Sequence, residues 1–180
     1  YHLDVMGKIW NPDIIRDKLA QLGLGDRVTL HGFVPEPVLD DALHQADLVL
    51  NLRHPSMGEA SGSQLRIWNA GAPAVVTRAG WYAGLPDEVA YLIDLEDEQE
   101  QLQGLLLRLA QDRSAAHAVG TAGRTFFEAH HAPEGYAEAI VALTHETVNQ
   151  AGATLTARSR GTLLAQGPLS TLMQDRLEAL

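Results

Sequence analysis

Between two apolar stretches lies Pro55-Ser56-Met57-Gly58-Glu59-Ala60-Ser61-Gly62-Ser63, a run whose residue types could do chemistry. Gly58 and Gly62 let the backbone approach a ligand with no Cβ in the way. Ser61 or Ser63 can cap a helix that begins here. Such a helix start offers free N–H groups and a partial positive charge, a seat for a phosphate. Glu59 is the loop's one acid: a poor ligand for phosphate and a good acceptor for sugar hydroxyls. Arg66 falls near the first turn of the helix and could reach the same pocket. Residue types alone leave a second reading open, a capped helix after a tight turn that needs no ligand.

A second loop, Thr77-Arg78-Ala79-Gly80-Trp81-Tyr82, offers a charge at Arg78 and a glycine at Gly80. Trp81 and Tyr82 could stack on a base or sugar, but packing is the commoner use of such aromatics and is the expectation for Trp81. The eight histidines do not cluster at metal-ligand spacing, and adjacent His130 and His131 face different sides of a helix end. His54 sits beside the Gly/Ser loop. No G-x-S-x-G stands at a strand end, so a Ser-His-Asp hydrolase is unsupported. The acids from Asp94 to Glu100 suit a solvated helix start.

The elements that must position these residues alternate. Leu3–Met6, Val28–Leu30, Leu48–Leu52, Ala74–Thr77 and Ala90–Ile93 are short apolar runs. Between them lie helical patterns, near Pro12–Leu22, at Leu39, Leu43 and Ala46, and at Leu65, Ile67 and Trp68. Alternating strands and helices mean βα units: an α/β fold with a parallel sheet of at least four strands and helices on both faces. In an open parallel sheet, ligands bind beyond the carboxyl ends of the strands, which is where both loops fall.

From Asp97 onward the pattern is helical, with stripes at Leu102, Leu105, Leu106 and Leu109, at Ala118, Ala122, Phe126 and Phe127, and at Tyr136, Ile140, Leu143 and Val148. Residues 1–150 thus read as one Rossmann-like domain. Residues 151–180 read as a helical tail: a Gly/Ala/Thr/Ser-rich linker from Ala151 to Thr162, then an amphipathic helix from Pro168 to Leu180.

Composition sets bounds. The chain is 46% hydrophobic and 20% charged, which excludes a mainly disordered chain. With 13 Lys and Arg against 23 Asp and Glu the formal net charge is -10, which argues against nucleic acid as a partner. Zero cysteines exclude disulfides and thiolate metal sites and suit a cytoplasmic protein, at most peripheral to the inner membrane surface. No apolar run approaches the roughly 20 residues of a membrane span. Tyr1-His2-Leu3-Asp4-Val5 alternates like a strand from the first residue, so the expectation is a piece of a longer chain.

In order along the chain, Asp26–Val34, Ala46–Leu50, the loop from His54 to Ser63, Leu65-Arg66 and Gly71–Thr77 resemble the nucleotide-sugar-binding half of GT-B glycosyltransferases. The loop matches the branch of the retaining family-4 group that reads P-S/T-M-G-E-x-S-G. The resemblance runs from about Leu3 to Val89 and more loosely to Val148. It implies one half of a GT-B fold, the donor-binding domain, incomplete at its N-terminus. Its activity would be that of a retaining, hexosyltransferase-type glycosyltransferase moving a sugar from a nucleoside diphosphate sugar to an acceptor.

The resemblance further implies that Glu59 faces the donor sugar as the catalytic carboxylate. Gly58, Ser61, Gly62, Ser63 and Arg66 would bind substrate, with the amides near Gly62 and Ser63 facing the diphosphate. Arg66 stands where many members carry a ribose-binding Glu, and its spacing from Glu59 is one residue short. Arg cannot accept hydrogen bonds from ribose hydroxyls. The family's Arg and Lys contacts to the diphosphate lie upstream of Tyr1, and Lys8 reads as a surface lysine rather than a substitute. The resemblance implies no metal and no cofactor, an acceptor held by a separate N-terminal half, and an isolated chain that is inactive. Final helices in the family cross back to that half, so the apolar stripe beyond Pro168 would leave an isolated chain to self-associate. A non-catalytic Rossmann-like module binding a nucleotide or a protein is the alternative; an upstream half with a Gly-rich loop would decide for the enzyme. A dehydrogenase is a distant third reading, because no G-x-G-x-x-G follows the first strand of this sequence.

Overall fold

Strand β4 (Ala74–Thr77) is buried along its whole length, and its alternating side chains build two cores. In the computed structural model, which describes residues 1–158, Ala74 and Val76 point to one face. There they meet Leu43 of helix α2 (Glu36–Gln45) and Ile67 of helix α3 (Gly62–Asn69). Val75 points to the other face, against Leu105 and Leu109 of helix α4 (Glu98–Gln111) and Ala116 of helix α5 (Ser114–His130). Helices thus cover both faces, as the β-branched sequence of a doubly buried strand requires.

The other strands are β1 (Leu3–Met6), β2 (Val28–Gly32), β3 (Val49–Asn51) and β5 (Tyr91–Ile93); helix α1 (Pro12–Gln21) joins the first two. All pairings are parallel. Instead of one continuous sheet the described residues form two, β1-β2 and β3-β4-β5. The first is wetter for a visible reason. Asp4, His31, His2 and Thr29 bring polar groups to it, His31 Nε2 meeting Asp4 Oδ1 at 2.7 Å and His2 Nε2 meeting Thr29 Oγ1 at 2.9 Å. No residue of α1 is buried.

Contacts divide the chain at His131, and a second unit begins at Ala132. Helix α6 (Pro133–Arg158) belongs to it, and its apolar residues Tyr136, Ile140, Leu143 and Val148 are exposed. Ala151–Arg158, which composition assigns to a linker, is helical here: alanine is the best helix former, and one internal Gly costs only about 1 kcal/mol. The rest of that stretch, the helix expected over Pro168–Leu180 and its self-association lie outside the described residues. Among the described residues no helix is long and apolar enough to cross a membrane.

Within the first unit, α5 closes on α3 through two glycines. A Cβ on Gly120 would lie 2.3 Å from the Gly71 carbonyl oxygen, and one on Gly123 would lie 2.4 Å from Trp68 Cδ1. Trp68 is fully buried and its indole N–H donates to the Val89 carbonyl at 2.8 Å. Around it stand Trp81, edge-on Phe126 and His131, whose ring stacks on the indole at 5.9 Å and 18°. Burial first, and the neighbouring charge of His130 second, hold the His131 pKa below its ordinary value of 6.5. The fold therefore favours neutral His131. Its contribution is complete above pH 6.5 and is lost as the pH falls below 6.5 towards the depressed folded value. Melting temperatures taken from pH 7.5 to pH 5 should fall, and His131→Phe, which keeps the stacking, should fall less; equal slopes would remove His131 as the cause.

Candidate functional site

Strand β3 ends at Asn51, and the chain reaches α3 through Leu52–Ser61, with a cis peptide bond at His54-Pro55. Gly58 has φ +84°, a conformation open to glycine, and its N–H donates to Ser56 Oγ at 3.1 Å. The second loop packs on the first: a Cβ on Gly80 would lie 2.5 Å from Ser56 Oγ and 3.3 Å from Gly58 Cα. The backbone at Gly80 therefore approaches the Gly/Ser loop itself.

Of the two serines that could cap α3, Ser61 does so. Its Oγ accepts the Gln64 N–H at 3.2 Å, and it is buried. Ser61 is thus occupied by the cap, while Gly58, Glu59, Gly62 and Ser63 are exposed. As the first residues of α3, Gly62 and Ser63 present N–H groups with no intrahelical partner.

Arg53, which the residue pattern did not single out, ties this group together. Its Nη1 donates to Glu59 Oε1 at 3.2 Å and its Nη2 to Ser63 Oγ at 3.4 Å. Its backbone N–H donates to Thr77 Oγ1 at 3.2 Å, at the buried end of β4. Beneath lies a second unforeseen group. Asn51 Nδ2 donates to Gln64 Oε1 at 2.9 Å and to Tyr82 Oη at 3.1 Å, linking β3, α3 and the turn after β4. Gln64 is fully buried, and its Nε2 has no hydrogen-bond partner among the described residues.

Arg66 does not join the loop. Its Nε donates to Asp40 Oδ1 at 2.7 Å and its Nη2 to the Glu36 carbonyl at 3.3 Å, both on α2. The pairing holds the Asp40 carboxyl below and the Arg66 guanidinium above their ordinary values. Glu36 and Asp40, one turn apart on α2, form an acidic strip that draws the guanidinium away from the pocket expected for it. Trp81 packs against Trp68 and Tyr82, as expected. Arg78 pairs with Asp87 and Asp94, each at 3.3 Å. Lys8 is exposed and its Nζ lies 5.3 Å over the Trp10 ring. No group of three His, Cys, Asp or Glu could hold a metal among the described residues. A cavity of about 650 Å³ runs along β5 and α4, walled by Arg78, Tyr91, Gln101 and Arg108; no residue of the Gly/Ser loop lines it.

No protein-family model matches the sequence, and neither does any curated protein. Solved structures do. Sucrose-phosphate synthase from Thermosynechococcus elongatus superposes with a TM-score of 0.69 at 21% identity, over 83% of this chain and 39% of that one. The C-terminal domain of a glycosyl transferase group 1 family protein from Francisella tularensis matches over 72% of this chain and 85% of its own, with TM-score 0.60 and 16% identity. The fold is that of the C-terminal half of a GT-B glycosyltransferase. The Anabaena protein HepE, solved in complex with UDP-glucose, matches this GT-B half with TM-score 0.59 and 19% identity, over 69% of this chain and 35% of that one. The chain spans about two fifths of the length of the synthase it resembles. Within the GT-B half, the Gly/Ser loop and the start of α3 stand beyond the carboxyl end of β3, on the side where open parallel sheets bind ligands.

Proposed function

We propose that the chain is the donor-binding domain of a glycosyltransferase that moves a hexose from a nucleoside diphosphate sugar to an acceptor with retention, the acceptor being held by a separate N-terminal half. The observation that carries this reading is local. One exposed carboxylate, Glu59, shares an arginine with the start of a capped helix whose first N–H groups are open. The amides of Gly62 and Ser63 supply the donors a diphosphate needs. Glu59 supplies what amides cannot, an acceptor for sugar hydroxyls and negative charge beside an anomeric carbon that turns positive as the sugar–phosphate bond breaks. The acceptor oxygen replaces the diphosphate on that carbon. Ser61 then serves the site indirectly, by fixing the first turn of α3. No metal enters this scheme, and the cytoplasm, at most the inner membrane surface, is its proposed place.

Arg66 supports the alternative of a non-catalytic nucleotide- or protein-binding module, because a guanidinium offers a ribose no acceptor and this one is turned to Asp40 on α2. Both nucleotide-binding readings expect UDP-glucose to raise the melting temperature. At a concentration of 100 Kd the stabilisation is about 2.7 kcal/mol. Glucose alone should leave the melting temperature unchanged. If UDP-glucose also leaves it unchanged at millimolar concentration, the donor-site reading fails.

A further inference from the structure

We propose that Arg53 is a partner-exchanging phosphate ligand: it holds Glu59 when no donor is present, and the donor's diphosphate takes the guanidinium and releases Glu59 to the sugar. This deepens the donor-site reading and rests on it. The main chain at Arg53 is anchored, since its N–H donates to Thr77 Oγ1 at the buried end of β4, and the guanidinium is left to the exposed contacts with Glu59 and Ser63. Its contact with Ser63 Oγ puts it one hydrogen bond from the start of α3, beside the open N–H groups of Gly62 and Ser63. An arginine there completes what a helix start alone provides, because its planar fork takes two phosphate oxygens at once.

The present partner is one that can be displaced. Arg53 is 35% and Glu59 48% exposed at the side chain, and the pair meets through a single contact of 3.2 Å. Exposed pairs of this kind hold weakly. A diphosphate carries more charge than one carboxylate and is reinforced by the helix N–H groups, so it wins the competition. The exchange has a use. While Glu59 Oε1 accepts from Arg53, that oxygen has less to offer a sugar hydroxyl; once released, both oxygens are available.

The exchange predicts opposite signs for the two partners. In calorimetric titrations of this chain with UDP, which has no sugar to contact Glu59, Arg53→Ala should weaken binding about tenfold or more. Glu59→Gln, which removes the competitor, should bind UDP as tightly as the unmodified chain or more tightly. The double variant should behave like Arg53→Ala. Melting temperatures of all three should stay near that of the unmodified chain, since the Thr77 contact is made by backbone. Unchanged UDP affinity in Arg53→Ala overturns the proposal. So does a loss in Glu59→Gln equal to that in Arg53→Ala, which would make the pair a fixed structural unit. If the unmodified chain takes up no UDP, the donor-site reading falls, and this proposal with it.

Discussion

Glu59→Gln should lower kcat and kcat/KM together by about 10²-fold or more in an enzyme that joins this chain to an acceptor-binding half. The substitution keeps shape and removes only the charge. A carboxylate near a helix start contributes about 0.3–1 kcal/mol through the dipole, so a purely structural Glu59 would leave turnover nearly intact. Glu59 is exposed and the cap of α3 belongs to Ser61, so its structural roles are limited to the helix dipole and the exposed pair with Arg53. Steady-state transfer rates of the two enzymes, with their melting temperatures, decide it. A normally folded Glu59→Gln enzyme with near-normal turnover removes Glu59 from the chemistry.

Trp68→Ala should destabilise the first unit by about 3–5 kcal/mol, the ordinary range for emptying a large aromatic site in a core. The cavity would open where Trp81, Phe126 and His131 now meet the indole, and the Val89 carbonyl would lose its donor. Glycines 120 and 123 bring α5 close enough for this packing, so the helices cannot close the hole without moving backbone against backbone. Denaturant titration of the two chains measures the difference; a loss below about 1 kcal/mol would mean that the aromatic cluster is not the keystone of the α3–α5 contact.

The fold was largely legible in the sequence. The five apolar runs match the five strands of the described residues, and the β-branched run at Ala74–Thr77 is the doubly buried one, because strand periodicity and helix periodicity differ enough to be read locally. What stayed hidden depends on partners far away in sequence. The split into two sheets reflects which edges pair, and Arg66 turned to α2 because Glu36 and Asp40 await it there, a juxtaposition that no spacing around residue 66 reveals. The loop was legible through Gly58, Glu59 and Gly62, whose types are unusual after a strand. Arg53 was not, since an arginine at a strand end is ordinary until Glu59 and Ser63 fold back onto it. Asn51 and Gln64 look like neutral polar residues in sequence, and only burial makes them a network.

On the proposed function, a nucleoside diphosphate sugar binds at the Gly/Ser loop and the start of α3. The most direct test is to add UDP-glucose to the isotope-labelled chain and follow each backbone amide by NMR. Saturable shifts should concentrate at Arg53, at Gly58 to Ser63 and at Gly80, with those of Gly62 and Ser63 reproduced by UDP alone and those near Glu59 requiring the sugar. Shifts confined instead to β5 and α4, around Tyr91, Gln101 and Arg108, would place the ligand in the cavity along those elements and contradict the proposed function.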